Sequence, residues 1–299
     1  MAWQEGNQKL RFEDMIRICP YMLIDTLFKN EDNETCPGGL QHHRFWTSRP
    51  TCKQSTLEWV LDADMQVFQS IAEVETYVSE PPAEKANGNV LLYFPDVYGI
   101  FINGKLIMDA FAAAGYLVLG PDYFRGDPVY KHSTNPTDPS ANPDFDFGAW
   151  LAKHQAFSDP FVPKWVEEVK QKYGKSGAKF ACTGYCYGAP YVMEQLSEKG
   201  ICTAGAFAHP AFLKESHFEN LTKPLFLSCS EIDQTFPKEF RRRAVDIMDE
   251  KKYVYHVQLF QGVSHGFALR GDMEDPVQKY AKDASIEGMA GWFDHWLSK

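Results

Sequence analysis

Runs of basic residues are scarce in this chain: no stretch of Lys and Arg is longer than Arg241, Arg242 and Arg243, and the formal net charge is −10. A molecule of that sign repels phosphate backbones, which excludes nucleic acid as a partner. Uncharged apolar runs long enough to cross a bilayer are missing, and the polar opening Met1 to Lys9 lacks the basic-then-apolar order of a secretory signal. The expectation is a soluble cytoplasmic protein with no membrane partner. Cysteine is sparse and odd in number, with Cys19, Cys36, Cys52, Cys182, Cys186, Cys202 and Cys229 scattered through the chain. That excludes a disulfide framework and takes weight from the glycosylation sequons at Asn33 and Asn220. Hydrophobic residues reach 44% against 23% charged, which excludes disorder. The Gly174 to Gly177 stretch is followed by no lysine–serine pair and reads as a helix-ending turn, not a phosphate loop.

What is present is an alternation. From about residue 73, short β-rich runs alternate with amphipathic helical runs, so the chain is expected to be α/β, a mostly parallel sheet with helices on both faces. Strands are expected at Glu73 to Val78, Val90 to Phe94, Tyr116 to Leu119, Ala178 to Thr183, Thr203 to Ala208, Leu225 to Cys229 and Val254 to Leu259. Helical faces are carried by Phe161, Trp165 and Val169, by Val192, Met193 and Leu196, by Phe240, Ala244 and Met248, and by a last helix from Pro276 with Tyr280, Trp292, Phe293 and Trp296. Two stretches break the rhythm. Residues 126–160, with Pro128, Pro136, Pro139, Pro143 and Pro160, are expected to form a lid loop in which Trp150 and His154 shape access. Residues 1–60 are expected to be an N-terminal extension packed on the main domain, 61–299. Cys36, His42, His43 and Cys52 fit no common closed zinc pattern, so no metal is expected.

The most informative segment is Ala181 to Pro190, where a strand runs through Gly184-Tyr185-Cys186-Tyr187-Gly188 into a helix. This is a nucleophile elbow with cysteine in place of serine. A residue on that sharp turn leaves no room for a β-carbon two positions either side, and the adjoining helix N-terminus favours thiolate, the reactive form. A buried cysteine at a strand end is more often just a small apolar residue, so its partners decide. Downstream, the strand after Leu225 ends in Glu231-Ile232-Asp233, and the strand after Val254 ends in Ser264-His265-Gly266-Phe267. Both lie at strand C-termini, in the nucleophile, acid, histidine order of an α/β-hydrolase, each about one βα unit beyond the last. Asp233 is the expected acid, with Glu231 the alternative; Asp233 could instead cap a helix before Pro237.

Taken together, these segments resemble the dienelactone hydrolase family, α/β-hydrolases with a Cys-His-Asp triad. Ile71 to Pro81, Pro95-Asp96-Val97-Tyr98-Gly99, Pro121-Asp122-Tyr123-Phe124-Arg125-Gly126-Asp127-Pro128 and His265 to Asp272 agree, and with Ala208-His209-Pro210 they look most like the branch common in fungi. The resemblance covers residues 70 to 299. It implies that Cys186, Asp233 and His265 are catalytic and that the amides of Val97 and Tyr187 form the oxyanion hole. It implies that Asp96, one methylene shorter than the usual glutamate, contacts the thiol. It also places Arg125 and Arg270 as candidate anion contacts for the substrate, with Tyr123, His209 and Trp150 as further candidate substrate contacts; the alternatives are a turn-capping role for Asp96 and surface ion pairs for the two arginines.

The implied activity is a carboxylic ester hydrolase of the carboxymethylenebutenolidase type, opening a small-molecule lactone or ester through a thioacyl-enzyme without cofactor; a homodimer is a candidate assembly. Two readings stay open beside it: an isomerase or dehydratase of secondary metabolism on the same site, and a non-catalytic binding protein of the same fold.

Overall fold

The computed structural model describes residues 67–133, 142–174 and 177–298. The N-terminal extension with Cys36, His42, His43 and Cys52, and the Pro136 and Pro139 part of the expected lid, lie outside the described residues. Eight strands form one sheet: β1 (Val67–Ile71), β2 (Val74–Ser79), β3 (Val90–Phe94), β4 (Leu117–Pro121), β5 (Phe180–Tyr185), β6 (Ala204–Ala208), β7 (Leu225–Ile232) and β8 (Tyr255–Ser264). Their order is β1-β2-β4-β3-β5-β6-β7-β8. β1 with β2 and β2 with β4 are antiparallel, and every other pairing is parallel. This is the mostly parallel α/β sheet expected from the alternation, in the α/β-hydrolase arrangement that the resemblance implies.

Among the described residues, seven α-helices cover the two faces: α1 (Ile102–Ala113), α2 (Phe147–Tyr173), α3 (Ala189–Gln195), α4 (Glu215–Glu219), α5 (Lys238–Glu250), α6 (Phe267–Arg270) and α7 (Pro276–Leu297). Burial on both sides explains why β3 reads as the unbroken apolar run Val90-Leu91-Leu92-Tyr93-Phe94, every residue buried. One face packs Phe94, Leu92 and Leu227 against Trp165, Val192 and Met248, and the other packs Tyr93, Tyr185 and Phe226 against Phe111, Met289 and Phe293.

Two sequence expectations are corrected. Residues 147–160 are not loop but the first half of α2, a 27-residue helix that contains Pro160 and Pro163. Each proline removes one helical hydrogen bond, which masks the helix to a reader of the sequence. Tertiary packing overrides that loss: Phe147, Trp150, His154, Ser158, Phe161, Trp165 and Val169 make one continuous buried stripe, and Asp146 caps the start by accepting from Ala149 N at 2.9 Å. The second is β1, which the sequence did not suggest. It joins β2 through Ala72 and Glu73, both at positive φ (51° and 65°), a turn whose usual Asn-Gly cue is absent.

Candidate active site

Cys186 sits where β5 passes through a single helical turn, Cys186–Gly188, into α3. Its φ is +48°, a left-handed conformation unfavourable for a residue with a side chain. The flanking glycines allow it. A β-carbon on Gly188 would lie 2.1 Å from Phe94 O, and one on Gly184 would lie 2.7 Å from both Gly188 O and Val192 Cγ2. The Gly-x-Cys-x-Gly pattern is therefore a steric requirement of this turn.

The β3–β5 register pairs Phe94 with Gly184. Val97 and Tyr187 each follow by three residues, so the register carries both to the same end of the sheet beside Cys186. Tyr187 lies in the leading turn of a helix, where amides have no intrahelical acceptor. The loop bearing Val97 is fixed by Gly99 N donating to Asp96 O, by Val129 N donating to Val97 O, and by the Tyr123 hydroxyl donating to Pro95 O.

Beyond β7 and β8, Asp233 and His265 face each other. His265 Nδ1 lies 3.0 Å from Asp233 Oδ1 and 3.1 Å from Oδ2. Asp233 Oδ1 also accepts from Thr235 N and Phe236 N, each at 3.0 Å, and Ser230 Oγ reaches Oδ2 at 3.3 Å. Burial pushes the Asp233 carboxyl up, but the His265 charge, that hydrogen bond and the Thr235 hydroxyl hold it below the usual carboxylate range. Burial likewise pushes the His265 imidazole down, yet Asp233 and then the Cys186 thiol outweigh it, and its pKa stands at about 10. Nδ1 faces the carboxylate. The other nitrogen, Nε2, is buried with no well-formed hydrogen bond, and Cys186 is the second side chain that raises the pKa of the ring.

The other candidates divide. Glu231, the alternative acid, is exposed and accepts from Gly262 N at 2.8 Å, away from His265, and Asp233 is in an Asx turn, not at the N-cap of α5. Asp96 is fully buried; Oδ1 accepts from Tyr98 N at 2.9 Å and Oδ2 pairs with the Arg270 guanidinium, which also lies over the Tyr98 ring. The expected thiol contact and the expected anion contact are thus bound to one another. Arg125 is exposed, with its guanidinium carbon 3.9 Å above the Phe157 ring centroid.

Tyr123 and Trp150 are core residues: Tyr123 packs on Tyr187 and Tyr191, and Trp150 stacks on Phe124 and donates to Asp127 O at 3.0 Å. His154 is buried beside them, its Nε2 3.0 Å from Asp127 Oδ2. His209 is fully buried at φ +35°, its ring 4.9 Å from that of His265, with both ring nitrogens lacking a hydrogen bond. Burial, then the charges of His265 and Arg270, push its pKa well down, so it is neutral. Among the described residues no group of three or more His, Cys, Asp or Glu is arranged to hold a metal ion, and no helix is long and apolar enough to cross a membrane.

Sequence reasoning missed Thr235. Its hydroxyl lies 2.8 Å from Asp233 Oδ1, 2.8 Å from Pro210 O and 3.0 Å from His265 Nδ1. The available cue was the Asp-x-Thr spacing of a side-chain turn. Also missed was the Asp127 cluster, whose carboxylate meets His132 and Lys153 at 2.6 Å as well as His154, and ties residues 127–132 to α2.

Comparison with known proteins agrees with this fold. The model of the dienelactone hydrolase family matches residues 74–297. Dienlactone hydrolase 1 of Gibberella moniliformis is 46% identical over 230 residues, covering 77% of this chain and 87% of that protein. The human carboxymethylenebutenolidase homolog is 23% identical over 232 residues, covering 76% and 89%. A putative dienelactone hydrolase from Klebsiella pneumoniae shares the fold with a TM-score of 0.58 at 12% identity, covering 78% of this chain and 98% of that one. The match over three-quarters of the sequence, on the same elements that carry the elbow and the strand ends beyond it, makes the chain a member of the dienelactone hydrolase family of hydrolases.

Proposed function

We propose that the protein hydrolyses a small-molecule ester or lactone by covalent catalysis at Cys186, with His265 as the acid–base and Asp233 orienting it. One observation carries the reading: a strained cysteine on a turn that only glycine neighbours permit, acting on a histidine whose other nitrogen is held by a buried carboxylate. Asp233 fixes the proton of His265 on Nδ1 in the neutral form and stabilises the imidazolium. The imidazolium–thiolate pair is the reactive state. The thiolate sulfur attacks the carbonyl carbon, and the displaced electron pair sits on the carbonyl oxygen between the amides of Val97 and Tyr187. Collapse expels the alkoxide or enolate, which takes the proton from His265 Nε2. His265 then removes a proton from water as its oxygen attacks the thioester, and the tetrahedral adduct releases the acid and thiolate.

Thiolate leaves more readily than an amide nitrogen, which favours esters with low-pKa leaving groups, such as enol lactones, over peptides. The test is a panel of esters and lactones read by mass spectrometry on wild type and Cys186→Ala. Expected are products heavier by one water, an acyl adduct on Cys186, and loss of turnover in the variant. Isomeric or dehydrated products would replace hydrolysis with the isomerase or dehydratase reading, and turnover within tenfold of wild type in Cys186→Ala would remove the nucleophile assignment.

A further inference from the structure

We propose that Thr235 is a positioning residue of this site, its single hydroxyl locking the Asp233–His265 pair to the loop that holds the backbone of Cys186. The consequence for turnover rests on the hydrolase reading above. Oγ1 of Thr235 has three partners within 3.0 Å: Pro210 O, Asp233 Oδ1 and His265 Nδ1. A hydroxyl brings one proton and two lone pairs. The proton is shared between Pro210 O and Asp233 Oδ1; whichever takes it, Oγ1 keeps a lone pair for the N–H of His265 Nδ1. His265 Nδ1 is therefore faced by acceptors on two side chains, Asp233 and Thr235, which fixes the ring plane as well as its tautomer.

The link through Pro210 reaches the nucleophile. In the same loop Ala211 N donates to Cys186 O at 3.0 Å and His209 N donates to Ser228 O at 3.0 Å. His209 and Phe212 are both at positive φ, so this short loop is held in a strained shape by the contacts around it. Nucleophile, acid and base stand at the ends of β5, β7 and β8; Thr235 Oγ1 touches the acid and the base directly and reaches the nucleophile through the backbone of Pro210 and Ala211. Positioning of that kind is worth a large factor, because small misplacements of reacting groups slow reaction steeply.

The charged and titratable groups acting on His265 are Asp233 from the segment after β7, Cys186 from the elbow and His209 from the loop after β6, with Arg270 of α6 acting in turn on His209. A change at Thr235 alters none of their charges, so it isolates the hydroxyl. Thr235→Val removes it at nearly constant shape, and Thr235→Ser restores it. Three readouts are needed: thermal stability, kcat and KM on one ester, and the His265 titration followed by NMR on the free protein.

In Thr235→Val, kcat is expected to fall about 10- to 100-fold with KM within about threefold. The His265 pKa is expected to drop by roughly half to one unit, since the charged ring loses more than the neutral ring when an acceptor is removed. Thr235→Ser should return both. Wild-type kcat and titration in Thr235→Val would overturn the proposal, as would equal losses in the Val and Ser variants, which would show that keeping the hydroxyl does not keep the effect. If the Val variant does not fold, Thr235→Cys, similar in size with a weak donor, carries the same comparison. The titration is read without substrate, so activity persisting in Cys186→Ala would defeat the hydrolase reading while leaving this result to be judged by itself.

Discussion

The carboxylate of Asp96 and the guanidinium of Arg270, 174 residues apart in sequence, form an ion pair, with the Asp96 side chain fully buried and that of Arg270 11% exposed. Removing one partner of such a pair strands the other charge in a low-dielectric site at a cost of about 3–5 kcal/mol, whereas removing both with apolar groups of similar volume is often close to neutral. Asp96→Leu and Arg270→Met should therefore each lower the denaturation midpoint sharply, and the double variant should recover most of the loss. Denaturant unfolding of the four proteins checks this. Additive losses would show that the two side chains act separately.

Whether these groups could be read from sequence depended on how local their cause was. Gly184, Cys186 and Gly188 were legible because the elbow is specified by one short steric pattern, and Asp233 and His265 followed because parallel strands place their C-terminal residues at one edge of the sheet. Asp96 and Arg270 were each legible but their pairing was not, since it depends on how α6 packs after β8. Thr235 was legible only as a turn partner of Asp233, two residues before it; its other two partners, Pro210 and His265, come from separate loops. The proline rule misled at α2, where the buried stripe from Phe147 to Val169 outweighs two broken hydrogen bonds.

Adding a methyl at the elbow separates fold from chemistry in a graded way. A β-carbon at Gly188 would meet the backbone oxygen of Phe94, which cannot move without disturbing β3, whereas the Gly184 site meets Gly188 O and a valine methyl together. Gly188→Ala is expected to be the more damaging, losing several kcal/mol or failing to fold, since large losses come from such overpacking and strain. Gly184→Ala should fold with a loss of roughly 1–3 kcal/mol and turn over poorly because Cys186 is displaced. Circular dichroism melts alongside ester turnover check the order. Equal behaviour of both variants to wild type would mean that the turn relaxes freely.

Stability should peak near pH 6.5, between two opposing sets of histidines. His265 has its pKa raised to about 10, so its contribution is complete below its unfolded value near 6.5 and is lost as pH rises towards 10. His209, His154 and His217 are lowered by burial, so each contributes stability above the same unfolded value that is lost as pH falls. Asp127, lowered to about 2 by Lys153, His132 and His154 against its burial, adds a further loss below about pH 4. Melting temperature measured from pH 3 to 10 gives the profile. Asp233→Asn should flatten its alkaline side. His209→Phe should make the acid side shallower and raise the melting temperature, since it removes two buried nitrogens without partners. An unchanged acid side in His209→Phe would show that this histidine titrates normally.

Arg125 tests whether the substrate is an anion. At a net charge of −10 the average field repels a carboxylate, so an anionic lactone needs a local cation. The Arg125 guanidinium is exposed and spends one face on Phe157, which leaves its edge for a bidentate contact but keeps the site wet. An exposed ion pair contributes roughly 0.2–1 kcal/mol, so Arg125→Ala should raise KM for an anionic lactone only about fivefold at most relative to a neutral ester of similar size. The backbone supplies an internal control. Arg125 is at φ +54°, where glycine is unstrained, so Arg125→Gly should show the same KM change while melting higher than Arg125→Ala. Raising salt from 50 to 500 mM should shrink the anionic preference of wild type towards that of the variants, because an exposed pair is screened. If anionic and neutral substrates respond alike in both variants at every salt concentration, Arg125 serves only to cover Phe157, and the preference for an acidic substrate has no support at this position.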